Sequence, residues 1–170
     1  MRFVVHEHHA RQLHFDFRLQ MAGVLKSWAV PKGPSLNHAT KRLAIMVEDH
    51  SLEYFDFEGI IPPGAYGAGT VVVWDAGTYT LLEGDDPVIA VERGKIAFEL
   101  RGKILKGGFT LLKMKGRDNK NWLLIKKKDE YRQTGWILKQ ALTKEKEARL
   151  RERRPPCKPH RCRELELPIR

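Results

Sequence analysis

Apolar and polar residues alternate with a period of two through much of the stretch from residue 12 to residue 128, the pattern of half-buried β-strands. Leu13, Phe15, Phe17 and Leu19 interleave with His14, Asp16 and Arg18. A strand there turns its apolar side chains one way and a His-Asp-Arg row the other. The pattern predicts further strands at Val24–Val30, stopped by Pro31-Lys32-Gly33-Pro34, and at Arg42–Asp49, with Leu43, Ile45 and Val47 on one face. Thr70–Trp74 reads as a fully apolar strand, with Gly77–Leu82 as its expected partner. Lys95–Arg101, Phe109–Lys115 and Trp122–Lys128 follow, the last two joined as a hairpin through Gly116–Asn121. Short strands with Gly/Pro punctuation and no long helices between them imply an antiparallel barrel or sandwich.

Two stretches read as helical, Asp86–Arg93 and the Lys/Glu/Ala/Leu-rich Ile137–Arg153, ended by Pro155-Pro156. The expected organisation is a mainly β domain over residues 1–133, then a C-terminal helix and partly flexible basic tail over 134–170. Composition sharpens this picture. With 170 residues, 42% of them hydrophobic, the chain can bury a core, which excludes wholesale disorder. No apolar run approaches the roughly 18 residues of a membrane span, and the N-terminus lacks a signal-peptide pattern. A cytoplasmic monomer is the default expectation, nucleoid-associated when bound to DNA. Lys and Arg number 31 against 21 Asp and Glu, a net +10 that favours a polyanionic partner such as nucleic acid. The tail carries both cysteines, Cys157 and Cys162. They flank His160 in an incomplete zinc-ligand spacing with no fourth ligand in view.

Candidate chemistry concentrates near the N-terminus, where His6, His8, His9 and His14 lie within fourteen residues. His14 and Asp16 sit one pleat apart, and His8 or His9 folding back would complete a mixed N/O site suited to Mn²⁺, Zn²⁺ or Fe²⁺. The structural alternative is a His–Asp hydrogen bond or an Asp16–Arg18 ion pair on a surface strand. A second polar row, Arg42, Ala44, Met46, Glu48 and His50, is expected on one face of its strand, with Tyr54 close behind. Arg18, Lys32, Arg42 and His50 would together make a donor set for tetrahedral oxyanions. The glycine-rich Ile61–Gly69 loop lacks the Gly-Lys-Ser/Thr of a P-loop and reads as a tight turn. No Gly-x-Ser-x-Gly elbow occurs, and neither cysteine has an evident base. Two other classes remain open on the residues. One is a non-haem Fe(II) oxygenase using His14, Asp16 and His50, and the other is a non-catalytic DNA-binding barrel that recruits partners through its tail.

Longer blocks carry a resemblance. His8-x-Ala10-Arg11-x-Leu13-His14-x-Asp16-x-Arg18-Leu19 is followed by Leu25-Lys26-Ser27-Trp28-Ala29-Val30-Pro31-Lys32-Gly33-Pro34. Val47-Glu48-Asp49-His50-x-Leu52-x-Tyr54 and Ile61-Pro62-x-Gly64-x-Tyr66-Gly67-Ala68-Gly69 come next. Together, over about Phe3–Tyr131, they resemble the 3′-phosphoesterase domain of bacterial DNA ligase D and its stand-alone relatives. The resemblance implies a compact β-barrel with a crescent groove and a Mn²⁺-dependent activity, with Zn²⁺ or another divalent ion as substitute. Such enzymes heal DNA 3′ ends in primer-template duplexes, removing a 3′-phosphate and a 3′-terminal ribonucleoside to leave the 3′-OH. It further implies His8, His14 and Asp16 as metal ligands, Arg18, His50 and Tyr54 on the scissile phosphate, and Lys32, Arg42 and Glu48 as supporting residues. His6 stands where the family often has glutamine. Family members usually carry a segment ahead of the Phe3-Val4-Val5 strand that contributes to ribonucleoside removal. Because the sequence opens almost at the motif, the expectation is fullest for 3′-phosphate removal. Implied partners are an ATP-dependent DNA ligase, a polymerase and a Ku-type end-binding protein, with Arg117, Lys120 and the tail contacting duplex.

Overall fold

A computed structural model describes residues 1–116 and 118–156, so Arg117 and the Cys157/His160/Cys162 cluster lie outside the described residues. Nine strands form one antiparallel sheet: β1 (Arg2–His9), β2 (Leu13–Met21), β3 (Val24–Val30), β4 (Lys41–Ser51), β5 (Gly59–Ile61), β6 (Gly69–Leu81), β7 (Lys95–Gly102), β8 (Lys106–Lys113) and β9 (Asn121–Lys126). Their order is β1-β2-β3-β4-β9-β8-β7-β6-β5, and β1 also pairs with β6, which closes eight of them into a barrel with β5 as a short flap beside β6. Closure removes the unpaired edges that would otherwise template aggregation. No helix among the described residues is long and apolar enough to cross a membrane.

The period of two decides which residues fill the barrel. Phe3 and Val5 of β1 lie opposite Leu19 and Phe17 of β2, and all four are buried in the main core with Trp28, Trp74, Phe98, Phe109 and Trp122. Trp28 and Trp122 meet edge to face at 5.7 Å between ring centroids, pinning β3 across the interior to β9. Each such side chain contributes about 1.5–3 kcal/mol by leaving water. A second, smaller cluster of Leu25, Tyr54, Phe57, Ile61 and Val71 lies apart from it. These residues face out of the barrel, so part of the wall is apolar or polar-buried on both sides.

Three features depart from the pattern. Arg2–His9, outside the alternating stretch, is a full strand, and it closes the barrel against β6. The two expected strands Thr70–Trp74 and Gly77–Leu82 are one strand, β6, of 13 residues, shared between β1 and β7. Asp75, Ala76 and Gly77 therefore make no turn. The Asp75 carboxylate instead accepts backbone N–H bonds from Lys103, Ile104 and Leu105, capping the β7–β8 turn. Finally, the expected Ile137–Arg153 helix is reduced to α2 (Lys144–Arg149), whereas the expected Asp86–Arg93 helix forms as α1 (Pro87–Glu92), with Asp86 as N-cap. Residues 136–142 stay outside the helix because the barrel takes their polar and apolar groups separately. Trp136, Leu138 and Ala141 pack on the core, and the Lys139 carbonyl accepts from Trp74 Nε1 at 2.8 Å. Downstream of α2, the chain bonds to the outer edge of β5, with Arg153 N donating to Ile60 O at 3.0 Å and Ile60 N to Arg151 O at 2.9 Å.

Candidate metal and phosphate site

The site lies on the outer face of the β1–β4 wall. In the β1–β2 register His8 lies opposite His14 and His6 opposite Asp16, and in β2–β3 Arg18 lies opposite Ser27. Directly opposed residues share a face, so His6, His8, His14, Asp16, Arg18 and Ser27 converge there. Ser51–Gly69, with the 3₁₀ turn Leu52–Tyr54 and β5, brings the smaller apolar cluster against this wall.

His8, His14 and Asp16 offer ligand atoms that all lie within 4.8 Å of one another. His8 Nδ1 is 3.6 Å and His14 Nε2 3.4 Å from the same Asp16 oxygen, Oδ2. The far nitrogen of each ring is committed to a backbone carbonyl. His8 Nε2 donates to Gly67 O at 2.7 Å, and His14 Nδ1 donates to Gln12 O at 3.1 Å. Those bonds hold the far N–H of each ring on a carbonyl and turn the other nitrogen, the one a cation would take, towards Asp16, which is how metal-ligating histidines are usually held. A divalent cation preferring mixed N/O donors fits this set. His9 falls on the other face and pairs with Glu7 at 2.7 Å, so of the two candidates His8 joins the cluster.

Arg18, 2% exposed, is gripped on three sides. Its Nε donates to His6 Nδ1 at 3.1 Å, its Nη1 to Ser27 Oγ at 2.9 Å, and its Nη2 lies 3.4 Å from Asp16 Oδ2. A guanidinium has five N–H donors, so both Nη atoms keep one in reserve. Burial, reinforced by the Arg18 charge, pushes the His6 imidazole well below its ordinary pKa, so it is neutral and serves as acceptor. Burial alone would raise the Asp16 carboxyl. Arg18 and the hydrogen bonds from His14 and His8 outweigh it and hold Asp16 well below the usual carboxylate range. The bond to Asp16 in turn raises His14. Tyr54 lies under the Arg18 guanidinium at 4.8 Å and touches the His6 and His50 rings, each at 5.0 Å between centroids. Burial lifts its phenol to about 12.

The second polar row is corrected by a β-bulge. Leu25 pairs with His50 but Ser27 pairs with Val47, so β4 spends one extra residue here and side-chain parity inverts across it. His50 therefore shares its face with Ile45 and Val47, while Ala44 and Met46 join the core. Arg42 lies opposite the core residue Leu124, on the core-facing side, with Nε buried and without a hydrogen-bond partner. Glu48 is exposed at the bulge, its carbonyl accepting from His50 Nδ1 at 2.9 Å, and Lys32 is exposed in the turn after β3. The structure thus gathers His8, His14, Asp16, Arg18, His50 and Tyr54. The facial set His14, Asp16 and His50 does not form; His8 takes the third place. Ser27 and the Gly67 carbonyl carry no sequence signal for their roles, because both depend on register across the wall.

The fold and site together define a mainly β class of protein, a closed antiparallel barrel that carries a His₂Asp cluster and a desolvated guanidinium on its outer wall. Comparison with known sequences makes the class specific. The family model of the DNA ligase D 3′-phosphoesterase domain matches residues 6–113, and the chain belongs to that family. A multifunctional non-homologous end joining protein LigD of Pseudomonas aeruginosa is 52% identical over 131 residues, 76% of this chain and 15% of the relative. Proteins of the same description from Mycobacterium bovis and Mycolicibacterium smegmatis are 46% and 44% identical over 129 and 135 residues. The chain spans between 15% and 17% of the length of these curated relatives.

Proposed function

We propose that this protein is a divalent-metal-dependent phosphoesterase that heals DNA 3′ ends, removing a 3′-phosphate, and a 3′-terminal ribonucleoside, to leave a 3′-OH. The observation that carries this reading is the pair of histidines anchored through their far nitrogens and aimed at one Asp16 oxygen, next to an arginine whose spare donors are already out of water. His8 Nδ1, His14 Nε2 and the Asp16 carboxylate would hold Mn²⁺, or Zn²⁺ or another divalent ion in its place. Such an ion supplies charge withdrawal from a phosphoryl oxygen and a lowered pKa for a coordinated water.

The remaining roles belong to the chain's own groups. Arg18 donates its spare N–H groups to phosphate oxygens, with no solvent shell to strip as charge develops. Tyr54 is a phenol throughout the neutral range and donates a hydrogen bond to the phosphate. A phenol lifted to about 12 is a weak acid, so His50 is assigned delivery of the proton to the leaving oxygen from Nε2, its Nδ1 being bonded to Glu48 O. Lys32 and Glu48 are supporting residues around this centre, with the exposed Lys32 on the path of an incoming strand, whereas Arg42, on the core-facing side of β4, would support it only through that strand. The net +10 favours the DNA backbone and makes binding weaken with salt. By analogy with relatives described as end-joining proteins, the partners are a DNA ligase, a polymerase and a Ku-type end-binding protein.

The test uses a 5′-labelled primer-template carrying either a 3′-phosphate or one 3′-terminal ribonucleotide, incubated with Mn²⁺, with Mg²⁺ and with EDTA. Conversion of both ends to 3′-OH, abolished by EDTA and by His14→Ala, is the expected result. Tight duplex binding with no conversion under any metal would overturn it in favour of a DNA-binding barrel.

A further inference from the structure

The Pro62–Ala68 loop between β5 and β6 is built around the metal cluster and yet presents an aromatic ring outward. Ala65 N donates to Pro62 O at 3.2 Å and Ala68 N to Ala65 O at 3.1 Å, two consecutive turns that make the loop compact. Gly67 adopts φ +76°, a left-handed conformation that glycine takes without strain, and this turns its carbonyl onto His8 Nε2 at 2.7 Å. The next residue back, Tyr66, is 83% exposed, more than any other large apolar or aromatic side chain among the described residues. A solitary exposed aromatic carries no message by itself. This one is fixed one Cα step, about 3.8 Å, from the residue that orients a candidate metal ligand. Tyr54, by contrast, is 4% exposed, packed against Phe57, His6, His50 and Arg18.

We propose that Tyr66 is a stacking platform for the nucleobase adjoining the scissile phosphate, an aromatic subsite of the phosphoesterase centre, and this rests on the function proposed above. The inner wall then reads the phosphate and the outer loop reads the base. The subsite needs a π-face of any kind. It therefore accepts all four bases, as an end-processing enzyme requires, and disfavours ends that lack a base. A free phosphate or a simple phosphate ester would gain nothing from it.

The experiment compares the full chain with Tyr66→Ala and Tyr66→Phe on two Mn²⁺-assayed substrates. One is a primer-template ending in a normal nucleotide 3′-phosphate, and the other ends in an abasic 3′-phosphate. Tyr66→Ala is expected to raise KM on the base-bearing end by roughly 10-fold, and by no more than about 100-fold, with kcat and Mn²⁺ affinity little changed. Tyr66→Phe should stay near wild type. On the abasic end all three proteins should coincide. An unchanged KM on the base-bearing end, or an equal rise on the abasic end, would overturn the proposal; the second result would mean that the change acts by deforming the loop. If wild type releases no phosphate from either end, the phosphoesterase reading fails on its own. The same three-protein comparison by fluorescence anisotropy without added metal still decides whether Tyr66 discriminates base-bearing from abasic ends.

Discussion

Two buried charge clusters sit in this barrel and are finished differently. At Lys126 the ammonium, fully buried, donates to Gly108 O and Lys127 O at 3.1 Å each and to Asp129 Oδ1 at 2.6 Å. An ammonium has three donors, so nothing is left over. Asp129 is equally committed, accepting from the backbone amides of Gly108 and Tyr131. At Arg18 the three contacts to His6, Ser27 and Asp16 leave donors in reserve, and His6 Nε2 is buried with no hydrogen-bond partner. A buried polar group without a partner costs about 1–3 kcal/mol, which a ligand or an ordered water offsets. The closed cluster is therefore an element of the fold, whereas the open one keeps in reserve the donors that the proposed function uses.

The largest expected effect falls on the open cluster. Arg18→Ala should lower kcat for 3′-phosphate release by about 10²–10³-fold, as removal of a preorganised oxyanion donor does, while Mn²⁺ still binds by calorimetry. Arg18→Lys should not rescue it, since an ammonium cannot bond His6, Ser27 and a phosphate with the same fork. Full activity in Arg18→Ala would erase the distinction between the clusters.

The closed cluster should respond in stability and not in rate. Asp129→Asn leaves the buried Lys126 charge without its counter-ion. We expect a loss of about 3 kcal/mol in denaturant unfolding, at the low end for buried pairs because Asp129 keeps some solvent contact. The kcat of the folded protein should be unchanged. The sign with pH follows from the carboxyl's depressed pKa, which is set against burial by the bond from Lys126 and those from Gly108 and Tyr131. The stabilisation is present above the unfolded aspartate value and disappears as pH falls through the lower folded value. The gap between wild type and Asp129→Asn should therefore narrow in acid; a gap independent of pH would show that the carboxylate charge is not what stabilises.

The smallest effect sharpens the comparison. Ser27→Ala removes one grip on Arg18 without touching the proposed metal ligands, and should lower kcat by roughly 10-fold, the order expected for a hydrogen bond to a charged group. Melting temperature should move little beside Asp129→Asn. Equal losses of stability in the two variants would mean that the Arg18 cluster, too, is chiefly structural.

Much of the site was legible because strand periodicity is local. His14, Asp16 and Arg18 had to share a face, and Leu13, Phe15, Phe17 and Leu19 had to share the other, whatever their surroundings. The β4 row was misjudged for the same reason. Its parity is right up to the bulge and inverted beyond it, and a bulge is set by the partner strand. The C-terminal stretch shows the same limit. Its composition favours helix, but Glu7, buried on β1, takes the amides of Ala141 and Leu142 and so keeps them out of a helical ladder.

What the sequence determined on its own is therefore the class of fold and the polar face of β2, each of which follows from side chains and their local spacing. Tertiary structure decided which histidine joins His14 and Asp16, which nitrogen each ring presents, and that Ser27 meets Arg18 and the Gly67 carbonyl meets His8. Those choices depend on register between strands and on a loop laid across them. Hydrogen bonds and burial fix such long-range geometry only when the barrel closes.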